Sequence, residues 1–575
     1  MKAKMKKILV FLQDTERILL DCGIMVYMGL LIVVLPLYFE QGYGYIATDK
    51  ASFFGTISVN MGKVLFPLLI VYAITSIAVN HAKIGGFFRG IFTRAGIKKL
   101  ICRISAVDFF VGMYGVSVVL SYLCSDYQEA ALWGTAGWYM GLIPQLILVC
   151  GYFLIAKCWT PRKWFYCLFF PVAAVVFALG YMNCFGYYPI EMEYAGSGFI
   201  STIGNINWYC GYVVPVLFVG IGLFWWPVTA ENNKSRGRKA LQLLGKIALG
   251  GYIFLGFATL VIQGSASGLF ALGVMMGVLL CLSSASIDHL RKFWIVTFLL
   301  SMSCIMTMIV RNRYPEAMLH HDEIMDMLTQ GWIPIAMTLV SCVGFLWTLW
   351  YGKSVLGNEE LLRKVIILCM TLVSSMVIVY IILLTINTIY PGAIGALAEY
   401  NLFTFADEWG SMRGATWKIG AKCFQEQNFL HKLVGVGPDA MWQYIETGCS
   451  ETLTQLMQKN FGTNRILTNA HNEWLTILVN YGILGLVSFA GMIVSAVWTF
   501  LRNGFGNRQN GECEAGGEIK CQREVRIPVA CALGILAYSM NNIFSFQQVV
   551  NVTMLFLLLG MGRAFTTRSC EAKEN

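Results

Sequence analysis

The sequence predicts an all-α polytopic membrane protein of about 14 transmembrane helices, with both termini cytoplasmic and one large extracytoplasmic loop. Three observations carry this. Hydrophobic residues make up 57% of the 575 positions and charged residues only 13%, with a mean hydropathy of +0.63. Apolar stretches of about 20 residues, the length that crosses a bilayer, recur along the whole chain. Lys and Arg are concentrated in alternate loops. A soluble chain carries roughly 25% charge, so the composition excludes a cytosolic enzyme, a disordered scaffold and a nucleic-acid binder. The net charge of +10 reflects the loop bias and does not ask for a polyanion. The 18 cysteines lie mostly in apolar segments without a C-x-x-C pair, and read as small core residues.

In chain order the expected spans lie near 18–38, 62–80, 104–124, 135–156, 164–182, 205–228, 240–262, 267–286, 293–310, 331–350, 365–389, 471–501, 527–544 and 548–565. The first follows a basic head, lacks a small-residue cleavage pattern and runs on to Pro36 and Tyr38, so it is expected to be retained and not cleaved. The loops on the side of the N-terminus hold 32 of the 42 Lys and Arg, which sets the cytoplasmic side. The chain thus reads as one integral-membrane domain over 1–575. Residues 390–470 form the large outer loop, long and mixed enough to fold and carry function. The Gly- and Asn-rich stretch 502–526 reads as a flexible cytoplasmic loop.

The sharpest local pattern is Asn469-Ala470-His471-Asn472-Glu473, followed by Tyr481-Gly482-Ile483-Leu484-Gly485. Asn469 is an expected N-cap for the twelfth span. At 100° per residue, His471, Leu475, Leu478, Gly482 and Gly485 then share one stripe. Its glycines admit a close neighbour, so the stripe faces protein. A neutral His beside a helix N-terminus, where anions are favoured, suits a general base. The alternative is a His that only caps a span at the interface. Arg413 and Trp417, at i and i+4, begin a stripe continued by Ala421 and Phe424. It reads either as a helix lying on the membrane or as one presenting Arg413 to a ligand. The pair His320-His321 with Asp322 and Glu323 reads as a solvated charge cluster and not a metal site. Asp108 is the clearest acid within a span.

His471-Asn472, nine residues, then Gly482-x-x-Gly485 resembles the H-[NSQ]-x9-G-x-x-G signature of O-antigen ligases and the related Wzy polysaccharide polymerases. Two further stretches resemble the same superfamily in the same order. Gly204-Asn205-Ile206-Asn207-Trp208 is similar to the opening of a central span. Arg413 to Trp417, followed by Gly435-Val436-Gly437-Pro438, is similar to the family's outer loop. The chain departs from the pattern at Gln263-Gly264-Ser265-Ala266-Ser267 and at Trp138, where relatives often carry Arg.

The resemblance implies transfer of a polyprenyl-diphosphate-linked oligosaccharide to a glycan, lipid or protein acceptor on the outer face of the bacterial cytoplasmic membrane. His471 and Asn472 would be catalytic. Arg413, Trp417, Arg465, Arg311 and Arg313 would bind diphosphate or glycan. Gly482, Gly485, Gly204, Asn205, Asn207, Gly435, Gly437 and Pro438 would be structural. No metal and no cofactor is implied. The alternative is a multi-span transporter such as a lipid-linked oligosaccharide flippase. Against it stand the single large loop, the absence of two matching halves and the few acids within spans.

Overall fold

A computed structural model describes residues 2–40, 42–91, 104–190, 200–226, 236–317, 323–354, 359–400, 403–448, 450–462, 467–509 and 515–574. These are all-helical apart from turns, with a lone bridge between Ile200 and Gly204. In chain order the principal helices are α1 (Lys2–Gly29), α2 (Ile46–Ile91), α3 (Ala106–Leu123), α4 (Gln128–Trp133), α5 (Leu142–Cys158), α6 (Phe169–Asn183), α7 (Ile206–Trp225), α8 (Arg236–Ile262), α9 (Ala266–Ser283) and α10 (Ile287–Arg313). They continue as α11 (Glu323–Thr329), α12 (Ile333–Ser354), α13 (Glu359–Ile389), α14 (Trp409–Glu426), α15 (Phe429–Val434), α16 (Met441–Thr447), α17 (Glu451–Phe461), α18 (Glu473–Gln509), α19 (Ala515–Asn541) and α20 (Val549–Glu574).

Among the described residues, 11 helices are long and apolar enough to cross a membrane, fewer than the sequence predicts. The stretches expected as spans at 135–156, 164–182 and 527–544 are shorter apolar helices, Leu142–Cys158, Phe169–Asn183 and Val525–Asn541. Seventeen residues rise about 25 Å, at the low end of the roughly 17–25 residues that cross a hydrocarbon core. The sequence also misses the length of α2, whose apolar run starts at Ile46 and not near 62. The connector expected over 502–526 is largely helix, since α18 runs to Gln509 and α19 starts at Ala515.

Burial separates core helices from lipid-facing ones. In α7 and α20 the apolar windows are 89% and 94% buried, whereas in α2 and α13 they are 6% buried. α7 and α20 therefore form the middle of the bundle. α1 ends by a π-turn at Leu30–Val34 just before Pro36, which has no N–H to continue the ladder. The fully buried Lys50 of α2 gathers the carbonyls this end leaves open, donating to Leu35 (2.9 Å), Pro36 (3.1 Å) and Tyr38 (2.8 Å). Asp108 sits in the first turn of α3 and is paired with Lys157 at 2.6 Å and Arg563 at 3.3 Å, with Tyr152 donating to it at 2.7 Å. That network ties the start of α3 to the end of α5 and the middle of α20.

The segment expected as the outer loop folds on a small core of its own. Ile419, Cys423, Val436, Met441, Tyr444, Leu453, Met457 and Leu467 pack there with Ala131 of α4 and Val479 of α18. The buried face of α14 includes Arg413, Ala415, Ile419 and Cys423. It turns toward protein, so α14 is not a helix resting on lipid.

Candidate active site

The base of the site is a break in α18. Gly482 has φ 65° and ψ −166°, a conformation open essentially to glycine alone. The break frees the carbonyls of Val479 and Asn480 from the helix ladder. The glycine segment 435–437 supplies their donors. Val436 N–H bonds Val479 O at 3.2 Å and Gly437 N–H bonds Asn480 O at 3.1 Å. Gln427 also donates to Val479 O (3.0 Å), and Ser121 of α3 to Asn480 O (2.6 Å). A side chain on Gly435 would strike the Asn480 backbone, and one on Gly482 the backbone of Leu433. The two glycine motifs, read from the sequence as separate, are the two halves of one joint. Pro438 then leads to Asp439, which takes φ 55°. Gly485 lies one turn further, where an added side chain would strike Tyr481 and come within 3.7 Å of Ser117 Oγ of α3, so both glycines of this motif do face protein.

The sequence places His471 in the first turn of a continuous helix. The structure corrects this. His471 precedes α18 and has φ 49°. The N-cap is Asn472, whose Oδ1 accepts from Leu475 N at 3.0 Å, and not Asn469. Asn469 instead accepts from His471 N at 3.0 Å and turns the chain just before the cap. The stripe from His471 to Gly485 therefore does not exist as one helical face. The break at Gly482 and the turn at His471 separate its ends.

His471 is half-buried, and among the described residues nothing hydrogen-bonds its ring. The ring meets Phe546 edge-on, with centroids 5.0 Å apart. Burial, and then the positive charge of Arg413, push its pKa down to about 4, so it is neutral near pH 7.

Arg413 is 7% exposed and begins the regular part of α14, just after Gly410, Ser411 and Met412 pass through left-handed conformations. Its guanidinium donates to Phe544 O (3.0 Å), Gly410 O (2.8 Å) and Asn207 Oδ1 (3.3 Å), and lies 5.9 Å from the Phe544 ring centroid. Among the described residues no carboxylate pairs with it. A buried cation held only by neutral acceptors keeps its charge available to an anion.

Asn207 comes from the motif that opens α7. Asn205 caps that helix by accepting from Asn207 N (2.8 Å), and Gly204, at φ 102°, packs on Ile46. Three motifs spread over more than 250 residues thus meet at Arg413 and His471. Trp417 stacks on Phe544 at 5.4 Å and 25°, and Trp138 meets Phe546 at 4.7 Å and Trp208 at 5.6 Å. Trp138 is therefore an aromatic wall of the site, at the position where relatives often carry Arg.

Other expected binding residues are not brought into this cluster. Arg311 is buried at the end of α10 and pairs with Asp326 of α11 at 2.5 Å, with Thr329 as a further partner. Arg313 is exposed, beside the Tyr314 ring. Arg465 lies outside the described residues, as do His320, His321 and Asp322.

No pattern in the sequence points to the segment between α19 and α20, which carries Phe544 and Phe546. It reads as a bare hairpin, because its role rests on contacts with residues 131 and 75 positions away. Behind the site lies a cavity of about 30 Å³, room for one or two waters. Asp439, Asn469, Glu473, Asn480 and Gln547 line it with Trp138 and Phe546. Asp439 accepts from the backbone of Thr135 (2.8 Å) and Met140 (3.2 Å), while burial raises its pKa to about 7. Glu473, inside the expected twelfth span, is the buried acid that counting charges in spans passes over.

Residues 327–490 match the family model described as O-antigen ligase (Wzy_C), a stretch that contains Arg413, the glycine segment 435–438, His471 and Gly482 to Gly485. No curated protein matches the chain. Residues 327–490 of this multi-pass membrane protein are thus similar to the O-antigen ligase family over the stretch that holds Arg413, the two glycine motifs and His471.

Proposed function

We propose that the protein transfers a glycan from a polyprenyl-diphosphate carrier to an acceptor hydroxyl on the outer face of the bacterial cytoplasmic membrane. The observation that carries this reading is the pairing of Arg413, a buried cation without a carboxylate partner, with His471, a neutral imidazole whose ring is unbonded. In the proposed step the acceptor oxygen attacks the anomeric carbon and His471 takes its proton. The bond from that carbon to the phosphate oxygen breaks, and the diphosphate leaves with the electron pair. Arg413 stabilises the charge that develops on it. Trp417 and Trp138, both half-buried, are the aromatic side chains placed to stack on sugar rings. No step requires a metal.

In this reading the three short apolar helices join the 11 longer ones as spans, and 390–470 faces outward. Asn472 serves as the cap that fixes His471, and Asn207 holds Arg413. The charge of Arg311 is already engaged by Asp326, which makes it a weaker candidate for diphosphate than Arg413. The pairing of Asp108 with two cations also engages one of the buried acids a transport relay would use.

The test is glycan transfer by purified protein in detergent from a polyprenyl-diphosphate donor. His471→Ala is expected to lower the rate by roughly 10²–10⁴ while leaving the fold intact. A wild-type rate in His471→Ala refutes the base, and loss of wild-type transfer in EDTA refutes the metal-free step. Carriage of lipid-linked glycan across liposomes without transfer would establish the transporter instead.

A further inference from the structure

We propose that Glu473 is a positioning residue of the transfer site: its carboxylate anchors the strap 542–547, and the strap sets Arg413 and His471 in place relative to each other. This rests on the transfer reading above.

Glu473 is 1% exposed, and among the described residues it has no Lys or Arg partner. It makes three connections to the outer end of α19. Its backbone N–H donates to Asn542 O at 2.9 Å, Tyr538 OH donates to its Oε1 at 3.0 Å, and the Asn542 amide donates to its Oε2. Two residues beyond Asn542, Phe544 O receives Arg413 Nε at 3.0 Å, and the Phe544 ring neighbours both the Arg413 guanidinium and Trp417. Two residues further, Phe546 packs on His471. Gln145 closes the far end, donating to Gln547 Oε1 at 2.7 Å.

One acid thus holds a short strap with a contact to the diphosphate-binding cation and a contact to the base. Glu473 is also two residues from His471 on its own segment, so the anchor and the base move as one unit. A buried carboxylate without a counter-ion contributes poorly to stability. Its two directed bonds, joined by the one from the Glu473 backbone N–H, are better accounted for by the placement they impose. The sequence alone does not reveal this, because the partners lie 65 and 69 residues away.

The experiment uses the full-length protein in detergent and two readouts. Glu473→Gln keeps the shape and one acceptor oxygen, but turns an amide donor toward the Asn542 amide. Hydrogen exchange is expected to speed up about tenfold or more at 541–548 and at 409–414, with α7 and α3 unchanged. Transfer kcat is expected to fall about 10–100-fold. In Arg413→Ala or His471→Ala backgrounds the further loss should be under about threefold, because residues acting as one unit are not additive. Tyr538→Phe, which removes one anchor bond, should show a smaller change in the same regions. Unchanged exchange at 409–414 in Glu473→Gln overturns the proposal whether or not the protein transfers glycan. So does a full multiplicative loss in both backgrounds, or exchange that rises equally everywhere. Coupled exchange without any wild-type transfer would support the strap and refute the transfer reading.

Discussion

Replacing Arg413 by alanine removes a guanidinium that makes bonds of 2.8, 3.0 and 3.3 Å to neutral acceptors and has no carboxylate partner among the described residues. Two consequences should appear together. The first is a loss of transfer. Removing one preorganised charge-stabilising donor costs about 2.7–4 kcal/mol, or roughly 10²–10³ in rate. The second is a change in pH dependence. If His471 acts as the neutral base, as proposed, transfer is lost as pH falls through its folded pKa, which burial and Arg413 together hold at about 4. With the charge gone only burial remains, and the acid limb should move up toward, but not past, the ordinary value near 6.5. Arg413→Lys keeps a charge and should keep the limb near 4. It should recover only part of the rate, because an ammonium cannot span three acceptors as the fork does.

The assay is the initial rate of transfer from pH 3.5 to 8, per amount of folded protein judged by thermal unfolding in detergent. Bonds to a charged group contribute roughly 1.5–3 kcal/mol each, so some loss of stability in Arg413→Ala is expected and must be measured. A wild-type rate in Arg413→Ala would remove it from the site. An acid limb that stays near 4 in that variant would refute the electrostatic coupling of the two residues.

Further outcomes follow from the local geometry. Gly482→Ala forces a side chain into a glycine-only conformation and against Leu433, and should destabilise by about 3 kcal/mol or more; an unchanged unfolding temperature would contradict the joint described for 435–437 and 479–482. Asn472→Ala should cost about 1 kcal/mol through loss of the cap, and Asn472→Asp should restore it; equal stability of all three would assign Asn472 another role. For topology, Cys423 is buried and will not report. Lys459→Cys, at a position 72% exposed, should label from outside intact cells, and labelling only after lysis would reverse the orientation.

The class of the molecule and the order of its helices are legible in the amino-acid sequence alone. Hydropathy is a local property, so the apolar runs mark their helices wherever a run suffices to cross a bilayer. The sequence also shows the motif residues, since Arg413, Asn207, the glycine pairs and His471 are readable as residue types at set spacings. Spacing alone misled where the chain leaves regular geometry. His471 to Gly485 reads as one helical stripe only if the helix is unbroken, and the positive φ at His471 and Gly482 breaks it.

Tertiary structure decided the rest. The carbonyls freed at Val479 and Asn480 find their donors about 43 residues earlier, at Val436 and Gly437. The neighbours of Arg413 come from 131 and 206 residues away. Arg311 reads as an equal candidate for the ligand until Asp326 is seen beside it. Hydrogen bonds and charge pairs depend on angstrom distances between segments remote in the chain, and no local pattern encodes those. That is why the strap 542–547, featureless as sequence, becomes the piece of chain on which both central residues of the site rest.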